Sequence, residues 1–369
     1  MTNPIGLYIH VPFCAKKCPY CDFYSLKYNE EDAIQYVNAV IRNIQKYRDE
    51  KISLDSVYFG GGTPSLLTSD KLGRIMESIS DSFVLLNSEI SIEVNPSLVN
   101  VEKLHTLKEI GFNRISFGIQ SFNDNELKAL GRLHNSETAQ AAVINAEKAG
   151  FSNISADIML GINHQNLSSM YNTLDIVQFL PLTHISAYML KIEENTPFND
   201  EKIISVLPDD DAVSDLYLAC VDRLSQMGFK QYEISNFSKC DFESRHNLHY
   251  WNCEEYIGIG PAAHSYFKGK RYCVPRSLKA FNESICQTEI ITDDNSGTFE
   301  EYAMLKIRLM KGLDLSECEK RFGISIEKII QKARPIENLG LISIKDNTIS
   351  LNPKGCLVSN QIIGRLFVE

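Results

Sequence analysis

The stretch His10-Val11-Pro12-Phe13-Cys14-Ala15-Lys16-Lys17-Cys18-Pro19-Tyr20-Cys21-Asp22-Phe23 sets three cysteines in a C-x3-C-x2-C spacing near the start of the chain. Three thiols in so short a loop cannot form a disulfide framework. As thiolates they suit a soft metal centre, where three ligands leave either one recruited partner or one open position. Two centres answer to that description. Recruiting His10 would close a structural zinc tetrahedron, although such sites usually pair two separate ligand knuckles. The other is a [4Fe-4S] cubane with one iron lacking a protein thiolate and free to bind a substrate or cofactor.

Working outward, Leu7-Tyr8-Ile9-His10-Val11 is a β-branched, aromatic strand running straight into that loop. From Glu30 to about Arg48, apolar residues at Ile34, Val37, Ile41 and Ile44 keep helical spacing. The unit then repeats. Leu54–Phe59 is a buried strand ended by Gly60-Gly61-Gly62-Thr63-Pro64, and Ser69-Asp70 caps a helix to about Ile79. Strands follow at Ile90–Val94, Arg114–Ile119, Ile154–Ile158 and His184–Tyr188. Helical patterns separate them, with Gly111 and Gly150 as stops, and Val213–Met227 is the last helix. Six strand–helix units predict a parallel sheet with right-handed crossovers, closed as a partial (βα)6 barrel of the TIM type. Working residues of such barrels sit at the C-terminal strand ends, which here hold the cysteine loop, the triple glycine, Glu93, Gln120 and Asp157.

Three segments are expected: the barrel over 1–236, a linking segment over 237–297 and a small winged-helix-like α+β domain over 298–369. The linking segment is loop-rich, holds the only tryptophan, and contains a Gly258-Ile259-Gly260-Pro261 turn that lacks the Gly-Lys-Ser/Thr of a phosphate loop. In the tail, three helical patterns precede Leu341–Ile344 and Thr348–Leu351, a hairpin across Asp346-Asn347. No apolar run reaches the roughly 18 residues of a spanning helix. The N-terminus shows no basic patch followed by an apolar run, and the other seven cysteines are scattered, as buried thiols of a reducing compartment are. The expected location is therefore the cytoplasm. A net charge of −10 speaks against an extended nucleic-acid surface.

The cysteine spacing with Tyr20 before the last cysteine, the Gly-Gly-Gly-Thr-Pro after the second strand, and the six-unit sheet resemble the radical S-adenosylmethionine (SAM) enzymes. That resemblance implies that Cys14, Cys18 and Cys21 hold a [4Fe-4S] cluster whose open iron is chelated by SAM. It also implies that Gly61, Gly62 and Thr63 meet the methionine amino and carboxylate groups. Within the superfamily the chain resembles the oxygen-independent coproporphyrinogen III oxidases (dehydrogenases) and their relatives over nearly its whole length. The likeness rests on His10–Cys14, Ile92-Glu93-Val94-Asn95-Pro96 and Phe117-Gly118-Ile119-Gln120-Ser121-Phe122. By motif position it implies that Tyr8, Tyr20, Glu93, Gln120, Arg132 and Asp157 line the SAM pocket. The chemistry suits those roles, since carboxylates accept from ribose hydroxyls and Arg132 can pair with a carboxylate. The competing reading of Glu93, Arg132 and Asp157 is a structural ion-pair cluster. Leu160–Gln165 departs from the Gly-Leu-Pro-x-Gln of many relatives.

Two departures separate the chain from the dehydrogenases. These carry a fourth cysteine two residues after the third, where this sequence has Phe23, and a long N-terminal extension, whereas the cysteines here begin at residue 14. Both features resemble the haem-chaperone (HemW) branch, as does His246-Asn247-x-x-Tyr250-Trp251, similar to its HNxxYW signature. The resemblance implies haem binding at His246, Asn247, Tyr250 and Trp251, an imidazole beside aromatic rings being what a macrocycle site needs. The expected function is a chaperone that binds haem and passes it to a haem-requiring membrane cytochrome, with a homodimer and a peripheral membrane contact as further partners and with the cluster and SAM gating dimerisation or haem release. The rival expectations are coproporphyrinogen III decarboxylation and, on the winged-helix-like tail, nucleic-acid modification.

Overall fold

In the central strands, residues alternate between apolar and polar, and that alternation sets the architecture of the protein. A computed structural model describes residues 3–368. Six strands follow one another in parallel: β1 (Ile5–Val11), β2 (Ser53–Gly61), β3 (Val84–Val94), β4 (Arg114–Gln120), β5 (Asn153–Leu160) and β6 (His184–Met189). Leu7, Ile9, Val57, Phe59, Ile92, Ile115, Phe117, Ile154, Ala156 and Ile185 are almost wholly buried on the face covered by helices. The residues between them, among them Tyr8, Tyr58, Glu93, Ser116 and Asp157, turn to the other face, because strand side chains alternate. A closed TIM barrel fills its interior with branched aliphatics. This one lines it with polar groups, and a cavity replaces the packed core.

The crossover helices are α1 (Glu30–Gln45), α2 (Ser69–Ser82), α3 (Val101–Ile110), α4 (Ser136–Lys148), α5 (Leu167–Phe179) and α6 (Asp210–Gln226). Caps set their starts: Asn29, Asn100, Asn135 and Asn166 each accept from backbone N–H groups of the first turn. The second helix is capped by Thr68 rather than by Ser69-Asp70. In α1 the inward stripe is Ala33, Tyr36, Val37, Val40 and Ile44, and Ile34 of the expected stripe is 43% exposed.

The 237–297 stretch, expected to be a linking segment, adds strands to the barrel's own sheet. After β7 (Lys230–Gln231) and β8 (Asn236–Ser238) come β9 (Tyr256–Ile259), β10 (His264–Phe267), β11 (Lys270–Cys273) and β12 (Ile290–Asp293). The sheet runs β12-β11-β10-β9-β1-β2-β3-β4-β5-β6-β8-β7, with β9 parallel to β1 as a seventh parallel strand and antiparallel strands at both ends. Two different edge strands mean that the barrel is open. The tryptophan stretch, expected as loop, is helix α7 (Arg245–Trp251), capped by the Ser244 hydroxyl accepting from Asn247 N–H (3.4 Å).

The tail contains α8 (Phe299–Lys306), α9 (Leu315–Phe322), α10 (Ile326–Asn338) and a three-stranded sheet of β13 (Leu313–Asp314), β14 (Ile342–Lys345) and β15 (Thr348–Leu351), ordered β13-β15-β14. Asp346 and Asn347 both have positive φ, 49° and 59°, as a two-residue hairpin turn of the I′ type requires. Among the described residues no helix is long and apolar enough to cross a membrane.

Candidate cofactor cavity

The C-terminal ends of β1–β6 open into one cavity of about 810 Å³. Its wall on the β1 side is the cysteine loop, whose two ends are clamped by a short parallel bridge of Phe13–Cys14 with Leu26–Lys27. His10 ties the loop to β1: Nε2 contacts the Tyr24 carbonyl (2.9 Å) and Nδ1 the Tyr8 hydroxyl (3.1 Å). With both ring nitrogens engaged and 4% exposure, His10 is not placed to close a zinc tetrahedron. Among the described residues no three Cys, His, Asp or Glu side chains cluster closely enough for a single metal ion.

Cys14, Cys18 and Cys21 are free thiols, each partly exposed, on one wall of the cavity. Burial, together with the neighbouring Cys18 and Cys14, raises the Cys21 thiol above its ordinary value. A thiol raised in this way is deprotonated outright when it ligates a metal. Hydrogen-bond donors stand ready for the sulfurs: Thr63 Oγ1 donates to Cys14 Sγ (3.7 Å) and Arg132 Nη1 to Cys18 Sγ (3.4 Å). This donor set fits an iron–sulfur cluster larger than one ion.

Opposite the cysteines, the Tyr58 hydroxyl donates to Glu93 Oε1 (2.9 Å) and Gly61 N–H donates to Glu93 Oε2 (3.2 Å). Burial and the negative Asp157 nevertheless push the Glu93 carboxyl up to about 7, and burial pushes Asp157 up to about 6. Two such carboxylates facing one cavity call for a ligand that brings hydroxyls or positive charge. Gln120 sits beside them at φ +76°, a left-handed conformation rarely held by a non-glycine residue without local compensation. Arg132 Nη2 donates to the Gly118 carbonyl, while its buried Nε has no partner, leaving a donor available to an anionic group.

The glycine triplet is shaped by close approach. A Cβ on Gly61 (φ +105°) would lie 2.6 Å from the His10 ring, and one on Gly62 would lie 2.5 Å from the Phe13 carbonyl oxygen. The amides of this turn are already used: Gly61 by Glu93, Gly62 by the Val11 carbonyl (2.8 Å) and Thr63 by the Phe13 carbonyl (2.7 Å). The expectation that this backbone meets both an amino and a carboxylate group therefore narrows to the amino group, which needs acceptors.

A family profile described as the Radical SAM superfamily matches residues 8–177, and one described as the HemN C-terminal domain matches residues 299–358. The heme chaperone HemW of Bacillus subtilis (strain 168) is 31% identical over 98% of this chain and 99% of its own length. That of Lactococcus lactis subsp. lactis is also 31% identical, over 100% and 99%. The chain belongs to the HemW family. Coproporphyrinogen III oxidase (HemN) from Escherichia coli, described as a radical SAM enzyme, has the same fold: its TM-score is 0.83 over 99% of this chain and 90% of its own, at 22% identity.

In this HemW-family chain the cavity brings together Tyr8, Cys14, Cys18, Tyr20, Cys21, Gly61, Gly62, Thr63, Glu93, Gln120, Arg132 and Asp157, and from α7 also Asn247 and Tyr250. His246 and Trp251 lie off it. His246 is 1% exposed beneath the floor, with Nδ1 on the Ser56 hydroxyl (3.0 Å), Nε2 on the Tyr250 hydroxyl (2.8 Å) and its ring stacked on Tyr58 (5.3 Å, 24°). Both nitrogens are occupied, so as folded the ring offers no lone pair to iron, against the role expected of it. Trp251 points to the tail, under the Arg308 guanidinium (5.9 Å). Gly6 lets α7 approach β1, since a Cβ there would lie 3.1 Å from the His246 ring.

Tyr58, Arg114, Ser116, Ser186, Tyr188, His264 and Arg276 also line the cavity and are not among the site residues expected from the sequence. For most of them a signal exists. Arg114-Ser116-Gly118-Gln120, Ser155-Asp157 and His184-Ser186-Tyr188 are polar residues at every second position of strands whose other positions are apolar. His264 and Arg276 belong to strands and turns that the sequence reading left as linker.

Proposed function

We propose that the chain is a haem chaperone that carries a [4Fe-4S] cluster on Cys14, Cys18 and Cys21 and holds SAM in the same cavity. Haem is its cargo, delivered to a haem-requiring membrane protein. The observation that carries this reading is Phe23. It stands 64% exposed at the cavity wall, two residues after the third cluster cysteine, where the dehydrogenases resembled by the sequence carry a further thiol. The end-to-end likeness to curated haem chaperones supports it. With the cluster held by Cys14, Cys18 and Cys21, the bound pair would supply one-electron chemistry. The chain's own part is to present Glu93 and Asp157 to ribose hydroxyls and the sulfonium, the unpartnered Arg132 Nε to the carboxylate, and the Gly61–Thr63 turn to the amino group.

Two measurements on anaerobically reconstituted protein test it. Titration with haemin is expected to give a saturable Soret shift, and the loaded protein is expected to convert an apocytochrome in membranes to its haem form. Protoporphyrinogen production from coproporphyrinogen III with many turnovers per protein would overturn the chaperone reading.

A further inference from the structure

Eight histidines occur in the chain, and three of them line the cavity: His10, His184 and His264. His10 has both ring nitrogens engaged. So does His184, with Nδ1 on the Ser155 hydroxyl (2.7 Å) and Nε2 on the Tyr232 hydroxyl (2.9 Å). His264 is exposed at the mouth, and among the described residues its ring makes no hydrogen bond. It is therefore the one cavity imidazole with lone pair and N–H both uncommitted.

Its backbone is firmly placed. The Gly258-Ile259-Gly260-Pro261 turn carries no phosphate-loop chemistry but has a clear steric purpose: a Cβ on Gly258 would lie 2.1 Å from the His264 carbonyl oxygen, and one on Gly260 (φ +116°) would lie 2.6 Å from the His10 carbonyl oxygen. Only glycine lets β9 and β10 close against β1 in this way. Val274 N–H donates to the Ala263 carbonyl (2.8 Å) and Ala262 N–H to the Val274 carbonyl (3.1 Å), which fixes the residues leading into His264. The lining of the same cavity includes the rings of Tyr24, Tyr256 and the exposed Phe23, together with Arg276, whose guanidinium pairs with Asp22 of the cysteine loop (3.1 Å).

We propose that His264 is an axial ligand to the iron of a haem seated at the mouth of this cavity, with Arg276 as a counter-charge to a propionate. This rests on the haem-chaperone reading above and assigns the ligand that His246, enclosed beneath the floor, does not provide. Iron needs an accessible imidazole nitrogen, the macrocycle needs aromatic walls, and its carboxylates need a cation. The mouth beside β10 supplies all three.

The test is a haemin titration of the full-length, cluster-loaded protein, followed by Soret position, dissociation constant and the magnetic circular dichroism of the bound iron. Wild type, His264→Ala, His264→Gly and His246→Ala are compared, with far-UV circular dichroism and cluster content as folding controls. Expected are at least a tenfold weaker dissociation constant and loss of the histidine-ligated signature in both His264 variants. Added imidazole should restore that signature in His264→Gly, and His246→Ala should keep it. An unchanged spectrum and affinity in the His264 variants would overturn the assignment. So would a loss that imidazole fails to reverse in a correctly folded His264→Gly. Absence of any Soret shift in the wild type would instead overturn the chaperone reading beneath it.

Discussion

The floor and the mouth of the barrel interior are both lined with polar side chains, the floor from the strands and α7 and the mouth from the strand ends and the loops beyond them, yet they behave differently. At the floor, Ser56, Arg114, Ser155, His184 and His246 are each 2% exposed or less, and their polar groups have partners. Arg114 faces Glu89 at 3.6 Å and donates to Asn153 and to the Phe242 carbonyl. At the mouth the loop cysteines are partly exposed, the Arg132 Nε is unpartnered, and two carboxyls are held above their ordinary values. These five floor side chains are saturated by partners within the protein. The mouth is polar but unsatisfied, and unsatisfied valence is what a cofactor or cargo fills. A polar residue inside a barrel thus identifies no site until its partners are counted.

The largest effect expected at the mouth comes from the cysteines. Cys18→Ala should abolish the visible iron–sulfur absorption of reconstituted protein. Apo-protein stability should move by less than about 0.5 kcal/mol, since a partly exposed side chain with little packing is lost. Denaturant unfolding that collapses along with the cluster would make the loop part of the fold and blur the distinction. At the floor the order reverses. Arg114→Met leaves Glu89 buried with only the Arg245 N–H (3.0 Å) to answer it, and about 3 kcal/mol of stability should be lost. The Arg114→Met/Glu89→Gln double variant should recover most of that. A loss that persists in the double variant would assign the cost to packing rather than to the orphaned charge.

The alternation that separates helix-covered from cavity-lining residues was legible, because side-chain direction along a strand is fixed by geometry. The partners were not. His246 in a His-Asn-x-x-Tyr-Trp stretch has the composition of an iron site, and nothing local shows that Ser56, 190 residues earlier, and Tyr250 occupy its nitrogens. The same limit hid β9–β12: four-residue strands bounded by glycine and proline carry too little periodicity to stand out from loop, and only pairing with β1 makes them sheet. Helix α7 was hidden for the opposite reason. Its two histidines and aromatics have mediocre helix propensity, and burial against β1 and β2 outweighs it.

A pH series sharpens the comparison at intermediate size. The folded chain holds Glu93 at about 7, whereas in the unfolded chain it titrates near its ordinary value of 4.5. Between those values the native state binds more protons than the unfolded state, so stability falls as pH rises and levels off above about 7. Glu93→Gln removes that slope. The ligand-free variant should be more stable than wild type at pH 8 by on the order of 2 kcal/mol and should converge with it near pH 4.5. Parallel stability curves across that range would mean that Glu93 is satisfied like a floor residue.

The smallest change acts where the two regions meet. Tyr250 lines the cavity with its ring, packed edge-on against Tyr256 (4.6 Å, 80°), while its hydroxyl serves the floor as partner to His246 Nε2. Tyr250→Phe keeps the ring and removes only that bond, so it should cost about 1 kcal/mol of stability, with the buried imidazole left one partner short. Because the mouth surface is unchanged, the haemin dissociation constant should stay within about twofold, a difference of roughly 0.4 kcal/mol. Substituting His246 itself would confound packing with bonding, which makes the hydroxyl the cleaner probe. A Tyr250→Phe protein that unfolds normally but no longer responds to haemin would place the His-Asn-x-x-Tyr-Trp stretch in the ligand site and erase the boundary between floor and mouth.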